Sequence, residues 1–518
     1  MRTESTSSHH LLKVPPLFHY LTVICIFTFN TEVTSVCKKC FEADFIWGTA
    51  TSSYQVEGAW NLSGKGENIW DMYTHNYPEL IRDGSNGDVA TDSYHKTDQD
   101  VELLRNLGVK IYRFSISWAR VLPDGTLNNI NKEGVDYYLD LIQKLKNNNI
   151  EPMITLYHWD LPLALHEQGG WTDSSIIEYF ADYAAFCYER FGPYVKYWIT
   201  MNESLMICYY GYGTGTHAPG LKESGTLTYD CFYYQLMAHA RAYRIYNDTF
   251  KATQNGEVGT VLVSHYPEPL TDSEEDKHAC ENYLQWNIGL VANPMVHGNW
   301  PQIVINRVGN LSALQGYNKS RLPELTDEDI KYIKGTYDYF GLNYYTTFYI
   351  TSMPNISELE LTTASFDVDK NAVTSSNASW PVAESVWLHN VPKGLRRLLK
   401  WLSETYNGPR IIITENGWSD GGETLNDTSR ITYIQGHVCN VLMSKYLDGV
   451  NIFGYLYWSF MNNFEWNAGY MEKFGLIDVD FESDNKTRTP KESYYYYKNL
   501  AESGCLEYCA FKDTPEIA

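Results

Sequence analysis

Eight short apolar stretches recur along the chain, and each is rich in β-branched and aromatic residues. They span residues 45–50, 111–117, 152–157, 195–201, 258–264, 337–344, 410–414 and 452–458. Between them lie longer segments in which apolar residues recur at helical spacing, such as 98–107 and 134–147. Short apolar runs that alternate with amphipathic helices are typical of buried parallel strands in an α/β fold.

Eight such units predict one α/β domain, a single (β/α)8 TIM barrel with elaborated βα loops. A doubly wound open sheet is the alternative. The barrel is favoured because polar or aromatic residues follow nearly every apolar run, as expected where the carboxyl ends of barrel strands build a site. These residues are Gln55, Glu57, 117–120, His158, Trp159, Asn202, Glu203, 343–345, Glu415, Asn416, Trp458, Glu465 and Trp466.

Two glutamates in this set end apolar runs beside an asparagine, in the strings YWITMNES at Glu203 and IIITENGW at Glu415. A glutamate that ends a barrel strand is expected in a polar pocket rather than on the surface. Cleavage of a glycosidic bond needs two such carboxyl groups, one that protonates the leaving oxygen and one that attacks the sugar carbon. The alternative for either residue is a structural ion pair.

The composition narrows the class of partner. The 518 residues carry a formal net charge of -23 and a pI near 5.0. This argues against a nucleic-acid partner, because such proteins need basic surfaces that neutralise phosphates. The chain contains 15 Trp and 42 Tyr, and aromatic rings suit the C–H faces of sugars. Most of these rings are nevertheless expected in the core.

The first 35 residues are typical of a secretory signal peptide, with an apolar run at 17–29 followed by small polar residues. A signal anchor is the alternative. No later run approaches the roughly 18 apolar residues of a membrane span. Residues 36–518 are therefore expected to form a secreted catalytic chain without a membrane span. The candidate N-glycosylation sequons are Asn61, Asn247, Asn310, Asn318, Asn355, Asn377, Asn426 and Asn485.

The cysteine pattern also fits an oxidising compartment. Cys25 lies in the predicted signal peptide, which leaves nine of the ten cysteines and therefore at least one without a partner in the chain. Cys37 and Cys40 near one end can join Cys505 and Cys509 near the other end by disulfides. The alternative is a zinc site built from these two pairs. No further ligand motif supports it, so no metal site is expected.

The chain resembles glycoside hydrolase family 1, the β-glucosidase-like group, and in particular its animal and insect branch, which includes insect myrosinases. The resemblance covers nearly all of residues 36–518, and its motifs follow the family order. They are FIWGTATSSYQVEG, RFSISWARVLPDG, YHWDLP, WITMNES, FGLNYYT, IIITENG, YLYWSFMNNFEWNAGY and RTPKESY. The resemblance implies a retaining β-glycosidase that needs no cofactor and whose partner is a small-molecule glycoside. The oligomeric state stays open.

The resemblance also assigns roles to single residues. Glu203 aligns with the acid/base and Glu415 with the nucleophile, with carboxyl oxygens roughly 5 to 5.5 Å apart. Arg113 and Tyr345 are expected to support the ionised nucleophile. The remaining positions imply substrate contacts: Gln55, His158, Asn202 and Glu465 with sugar hydroxyls, Trp458 as a stacking floor, Trp466 as a hydroxyl donor and Trp387 as a platform for the leaving group.

These features predict a β-glucosidase that releases terminal β-D-glucose. The first alternative is a myrosinase, a thioglucosidase whose sulfated glucosinolate substrate needs a cation at the aglycone mouth. The candidate cations are Lys222, Arg307, Lys319 and Arg321, with ordinary solvated charge as the plain alternative. The second alternative is a catalytically inactive glycoside-binding protein. The presence of both glutamates argues against this last reading.

Overall fold

The computed structural model of the chain describes residues 39–422 and 424–509. The predicted signal peptide, residues 1–35, and Cys37 lie outside these described residues. Eight parallel strands close into a barrel in chain order, which confirms the predicted (β/α)8 fold and excludes the open sheet. The barrel strands are β1 (Ile46–Ala50), β2 (Ile111–Ser115), β3 (Glu151–Tyr157), β4 (Tyr197–Asn202), β5 (Glu257–Val263), β6 (Tyr339–Asn343), β7 (Ile411–Glu415) and β8 (Ile452–Trp458).

The interior of the barrel changes from apolar to polar along the strands. One apolar cluster packs inside the barrel and is formed by Ile111, Met153, Tyr197, Ile199, Val261, Tyr339, Ile412 and Leu456. Side chains two positions further along a strand point to the same face. On β2 this step leads from Ile111 to Arg113, and on β7 it leads from Ile412 to Thr414. The apolar layer therefore supports a polar layer at the carboxyl ends of the strands.

Helices form the layer outside the barrel. The two predicted amphipathic segments are helices Thr97–Leu107 and Lys132–Asn147, and Gly108 ends the first with a left-handed φ of 79°. The longer helices of the outer layer and loops include Ile176–Phe191, Leu227–Ile245, Glu274–Leu284, Leu290–His297, Gln302–Leu314, Asp327–Ile333, Pro392–Thr405, Thr428–Tyr446 and Glu492–Ser503. Helix Ile69–Asn76 is as long as Leu290–His297, and the remaining α-helices, of four or five residues each, are Ser53–Val56, Trp118–Val121, Leu163–His166, Lys251–Gln254, Glu358–Thr362 and Phe366–Lys370.

Small sheets elaborate the loops that join the barrel strands. Strands Tyr266–Pro269, Thr347–Thr351 and Val373–Ser375 pair into a three-stranded sheet whose chain segments follow β5 and β6. Strand Ile477–Val479 pairs with Arg488–Pro490 after β8. The short strands Lys39–Cys40 and Cys505–Leu506 pair with each other. The last pair brings the two ends of the described chain together.

Three disulfides join described residues: Cys40–Cys505, Cys208–Cys231 and Cys439–Cys509. The first confirms that a disulfide links the two ends of the chain. The expectation that Cys509 also bonds the amino-terminal pair is wrong. Its partner is Cys439 on helix Thr428–Tyr446, because the carboxyl-terminal segment runs back along that helix. Among the described residues, the free thiols are the buried Cys187 and the partly buried Cys280.

Most of the candidate glycosylation asparagines lie at the surface of the protein. Asn377 is partly buried, and the other seven candidate asparagines are exposed. Asn202 also begins a sequon, but it is fully buried within the barrel. In the described part of the chain, no helix has both the length and the apolar character to cross a membrane.

Candidate active site

A cavity of about 770 Å³ opens at the carboxyl ends of the barrel strands. Two of the eleven predicted site residues, Gln55 and Arg113, lie buried behind its wall. The other nine line the cavity: His158, Asn202, Glu203, Tyr345, Trp387, Glu415, Trp458, Glu465 and Trp466. The fold therefore brings together the residues that the sequence spreads over more than 400 positions.

Glu415 ends β7 and is held by two donors. The Arg113 guanidinium on β2 reaches across the barrel, with Nη1 2.7 Å from Glu415 Oε1. The Tyr345 hydroxyl donates to Glu415 Oε2 at 2.7 Å. Burial raises the pKa of Glu415 above its ordinary value, and the charge of Arg113 and the hydrogen bond from Tyr345 offset part of that rise. Burial and Glu415 raise the pKa of Tyr345 well above its ordinary value, so its hydroxyl keeps the proton that it donates.

Glu203 follows β4 and lies in a different environment. Its hydrogen bond comes from a neutral amide, Asn343 Nδ2, which donates to Glu203 Oε1 at 2.6 Å. Burial, followed by the charge of Glu415, raises the pKa of Glu203 to about 8. The contrast with Glu415 arises because the guanidinium of Arg113 forms an ion pair with Glu415 and not with Glu203. Of the two carboxyl groups, Glu203 is thus the one that keeps its proton at neutral pH.

The backbone at Glu203 is in the left-handed region, with φ of 56°. This conformation is uncommon outside glycine and costs on the order of 1 kcal/mol or more. The carbonyl oxygens of Val261 and Glu203 fix the turn, since they accept from the Glu203 and Met206 amides respectively. The turn places the Glu203 carboxyl group against Asn343 and the cavity instead of continuing the alternation of the strand.

Asn343, at the end of β6, joins the surroundings of the two glutamates, although the sequence analysis gave it no role. β6 pairs with both β5 and β7, and Asn343 lies opposite Glu415 in the register with β7. Thr414 Oγ1 donates to Asn343 Oδ1 at 2.7 Å, which turns the Asn343 amide nitrogen towards Glu203. Its position in the string FGLNYYT, where it ends an apolar run, already places Asn343 among the residues expected at the carboxyl ends of the strands, but the sequence carries no signal for its contact with Glu203.

Asn202 extends the same network. Its Oδ1 accepts from Arg113 Nη2 at 2.6 Å and from Asn343 Nδ2 at 3.2 Å. Since both donors occupy the oxygen, its Nδ2 faces His158 Nε2, 3.1 Å away. Burial lowers the pKa of His158 well below its ordinary value, so the ring is neutral and Nε2 can accept. The proton then lies on His158 Nδ1, a buried donor for which no partner occurs among the described residues.

An aromatic wall faces the two glutamates. The His158 ring stacks on Trp458 and Trp466, with centroids 5.9 Å and 6.1 Å away. Gly417 allows Trp458 to approach β7, because a Cβ at Gly417 would lie only 1.8 Å from the Trp458 carbonyl oxygen. Trp387 stands further out, 38% exposed, with its ring 5.8 Å from Tyr345. The wall offers rings to a ligand from the floor of the cavity to its mouth.

Gln55 and Glu465 meet beside this wall. Gln55 Nε2 donates to Asn463 Oδ1 and to the Phe464 carbonyl oxygen, both at 2.9 Å, and lies 3.4 Å from Glu465 Oε2. Burial, and then Glu472, raises the pKa of Glu465 well above its ordinary value. Glu465 lines the cavity directly, whereas Gln55 is fully buried behind the wall.

The four basic residues expected at the mouth do not line the cavity. Lys222 and Lys319 are exposed elsewhere on the surface. Arg321 forms a bidentate ion pair with the Asp369 carboxylate, and Arg307 donates a hydrogen bond to the Asp369 carbonyl oxygen. Sequence reasoning instead missed Lys370, the only lysine or arginine among the described residues of the lining.

Comparisons with known proteins agree with this geometry. The model of the family described as glycosyl hydrolase family 1 matches residues 37–505. Myrosinase 1 of Brevicoryne brassicae is 42% identical over 468 residues, which cover 90% of this chain and 99% of that protein. Beta-glucosidase 12 of Oryza sativa subsp. japonica is 40% identical over 489 residues, 90% of this chain and 93% of the relative. The solved structure of aphid myrosinase superposes with a TM-score of 0.86 at 40% identity, covering 90% of this chain and all of that one.

Proposed function

Because the chain belongs to glycosyl hydrolase family 1, we propose that this glycoside hydrolase is a retaining β-glucosidase that releases terminal β-D-glucose. The observation that carries the proposal is the unequal environment of two facing carboxyl groups. Glu415 is held by a cation and a hydroxyl, whereas Glu203 is held by a neutral amide and its pKa is raised to about 8. Carboxyl groups whose pKa values are pushed apart in this way suit a nucleophile and an acid.

In the first step, Glu415 attacks the anomeric carbon of the bound glucoside. The bond from that carbon to the aglycone oxygen breaks while the bond to the Glu415 carboxylate oxygen forms. Glu203 gives its proton to the departing oxygen, which leaves as an alcohol or phenol. The products of this step are the free aglycone, a glucosyl ester on Glu415 and an ionised Glu203.

In the second step, water replaces the ester. Glu203 accepts a proton from the water as its oxygen attacks the anomeric carbon, and the bond to Glu415 breaks. The charge of Glu415 raises the pKa of Glu203 in the free enzyme, so its loss in the ester lowers that pKa and makes Glu203 a base. Two inversions give β-glucose, and the two carboxyl groups with water complete the chemistry, so no cofactor is required.

The proposed supporting roles follow from the contacts. Arg113 and Tyr345 keep Glu415 ionised and aim it. Asn202, fixed by Arg113, presents its amide nitrogen towards the 2-hydroxyl, where contacts strengthen in the transition state. The proposed partners of the remaining hydroxyls are His158, Glu465 and Trp466, which line the cavity, with Gln55 acting through its contact with Glu465. Trp458 supports the sugar face, and Trp387 carries the leaving group.

A mechanism-based 2-deoxy-2-fluoroglucoside tests the proposal. It should label the purified protein once, with the added mass on the peptide that contains Glu415, because the fluorine slows the second step. The Glu415→Gln variant is the matched control and should take no label. A label on another residue, or no label on folded protein, would overturn the assignment of the nucleophile and with it the mechanism.

A thioglucosidase is the second candidate function. It is favoured by the similarity to the protein named Myrosinase 1, which extends over 99% of that relative. The discriminating measurement compares kcat/KM for the glucosinolate sinigrin with kcat/KM for a neutral aryl β-glucoside. Faster turnover of sinigrin would establish the thioglucosidase, whereas faster turnover of the aryl glucoside supports our proposal.

Secretion completes the proposed function. Three disulfides and seven exposed sequon asparagines suit the secretory route. We place a signal peptide at residues 1–35 and the catalytic chain at 36–518. Amino-terminal sequencing of the secreted product checks this boundary, and a product that still begins at Met1 would contradict it.

A further inference from the structure

The outer half of the cavity is the part lined by Tyr209, Phe348, Phe366, Asp367, Lys370 and Trp387. It contains an ion pair that the proposed mechanism does not use. The pair lies on the short helix Phe366–Lys370, where Asp367 Oδ1 accepts from Lys370 Nζ at 3.1 Å. Tyr209 also donates its hydroxyl to Asp367 Oδ2 at 2.8 Å. Both charged residues line the cavity. They are three positions apart in sequence, so they share one face of the helix.

The opposite face of this helix is fastened to the protein. Asp369 accepts from Arg321 Nη1 and Nη2, both at 2.7 Å, and from the Tyr229 hydroxyl at 2.8 Å. Arg307 Nη2 donates to the Val368 carbonyl oxygen at 3.0 Å. The Arg321–Asp369 pair is almost completely buried. These anchors fix the direction in which Asp367 and Lys370 point, so their charges form a set part of the cavity wall.

The two members of the pair are not equally available to a ligand. The Asp367 side chain is 44% exposed, whereas that of Lys370 is 11% exposed. Lys370 is covered by aromatic rings, with its Nζ 5.4 Å from the centre of Tyr209 and 5.7 Å from that of Phe366. A ligand that enters the outer half therefore meets the carboxylate before it meets the ammonium group.

No other group of the described lining offers a compensating positive charge. The lining carries five carboxyl groups, on Glu203, Asp367, Glu415, Glu465 and Glu472, and a single lysine. Burial raises the pKa of Glu203 and of Glu465, so the negative charge of the lining comes from the other three. Its other two histidines are neutral, because burial lowers the pKa of both His217 and His265 to about 4. Glu472 forms an ion pair at 3.5 Å with Arg82, which is half exposed and lies outside the lining.

We infer that Asp367 determines aglycone specificity, making the outer half of the cavity accept neutral and cationic aromatic aglycones and discriminate against anionic ones. The inference rests on the proposed β-glucosidase function and deepens it. Aromatic walls formed by Tyr209, Phe348, Phe366 and Trp387 suit the body of such an aglycone. For an anionic aglycone, repulsion by Asp367 at about 4 Å exceeds attraction by Lys370 at about 7 Å when the effective dielectric constant is about 20. The difference should lower kcat/KM for such a substrate on the order of tenfold.

Three β-D-glucosides with nearly equal leaving groups test the inference. Their aglycones are phenols that carry a 4-carbamoylmethyl, a 4-carboxymethyl or a 4-aminomethyl substituent, in which the methylene insulates the phenol from the charge. We expect kcat/KM for the anionic glucoside to be roughly tenfold below the neutral one, and the cationic glucoside to equal or exceed the neutral one. Equal values for all three substrates, or a preference for the anion, would overturn the inference.

Two variants locate the effect. Asp367→Asn keeps the size of the side chain and should bring the anionic glucoside to or above the neutral one. Lys370→Gln should widen the gap. Asp140→Asn, on the outer helix Lys132–Asn147, is the matched control and should leave all three values unchanged. If the wild-type enzyme discriminates but Asp367→Asn does not reduce the gap, the assignment to Asp367 is wrong.

The failure of this inference and the failure of the proposed function give different results. A protein that does not hydrolyse the neutral glucoside and takes no fluorosugar label refutes the β-glucosidase itself. A protein that hydrolyses the neutral glucoside but ignores the charge of the substituent refutes only the role of Asp367. Added salt gives an independent check, because it should narrow the gap between the charged substrates.

Discussion

Removal of the Tyr345 hydroxyl isolates one of the two contacts that hold Glu415. In Tyr345→Phe the ring that packs 5.8 Å from Trp387 stays in place, while the 2.7 Å hydrogen bond to Glu415 Oε2 is lost. A hydrogen bond to a charged group contributes about 1.5 to 3 kcal/mol. Since this bond favours the ionised carboxylate, its loss should raise the pKa of Glu415 by at least about one unit, at 1.36 kcal/mol per unit.

The pH dependence of kcat/KM with an aryl β-glucoside measures this shift. In the proposed mechanism the ionised form of Glu415 is the active form, so a higher pKa moves the acidic limb of the profile to higher pH. We expect a displacement of about one unit or more and, at the optimum, a loss of roughly 10- to 100-fold in kcat/KM.

A matched variant separates the hydrogen bond from the change of residue type. Tyr406→Phe removes a buried hydroxyl that has no hydrogen-bond partner among the described residues, at the end of helix Pro392–Thr405. It should leave both the rate and the profile unchanged. If Tyr345→Phe also leaves the acidic limb in place and kcat/KM within twofold of wild type, Tyr345 does not support the nucleophile and the reasoning from its contact fails.

Two further predictions concern Glu203 and Arg113. Glu203→Gln should slow the hydrolysis of alkyl β-glucosides far more than that of activated aryl β-glucosides. It should also remove the alkaline limb of the kcat/KM profile near pH 8, where Glu203 loses its proton. Equal losses on both substrates would contradict its role as acid. Arg113→Met leaves Glu415 as an uncompensated buried charge, so it should lower the free energy of unfolding by about 3 to 5 kcal/mol in a urea titration; an unchanged midpoint would refute this reading of the pair.

The sequence was sufficient to predict the barrel and the residues that surround the two glutamates in its cavity. Strands buried on both faces are continuous apolar runs, so all eight stand out from the helical segments between them. Residues that end such strands must meet at one rim, which is why Glu203, Glu415, His158 and Trp458 could be grouped from the order of residues alone. Both inferences depend only on local pattern and on the topology of a closed parallel barrel.

Details that depend on the approach of distant segments were not predictable. Cys509 bonds Cys439 because of the path of the carboxyl-terminal segment, which has no periodic signal. The bridging place of Asn343 depends on which strands are neighbours in the barrel.

The charges at the mouth depend on a helix of only five residues. Which face of it points inwards decides that Lys370, rather than Arg307 or Arg321, lines the cavity. Such a short helix leaves no periodic pattern from which that direction could be read.

The two faces of the helix Phe366–Lys370 differ in what a substitution would change. On its buried side, Asp369 is fixed by the ion pair with Arg321, so a substitution there would break a buried contact. Its cavity side carries Asp367 and Lys370, which the proposed bond-breaking steps do not use. Substitution of either side chain therefore changes the charge that a ligand meets in the cavity but leaves the anchors of the helix intact, so the charge of the wall and the stability of the fold can be varied independently.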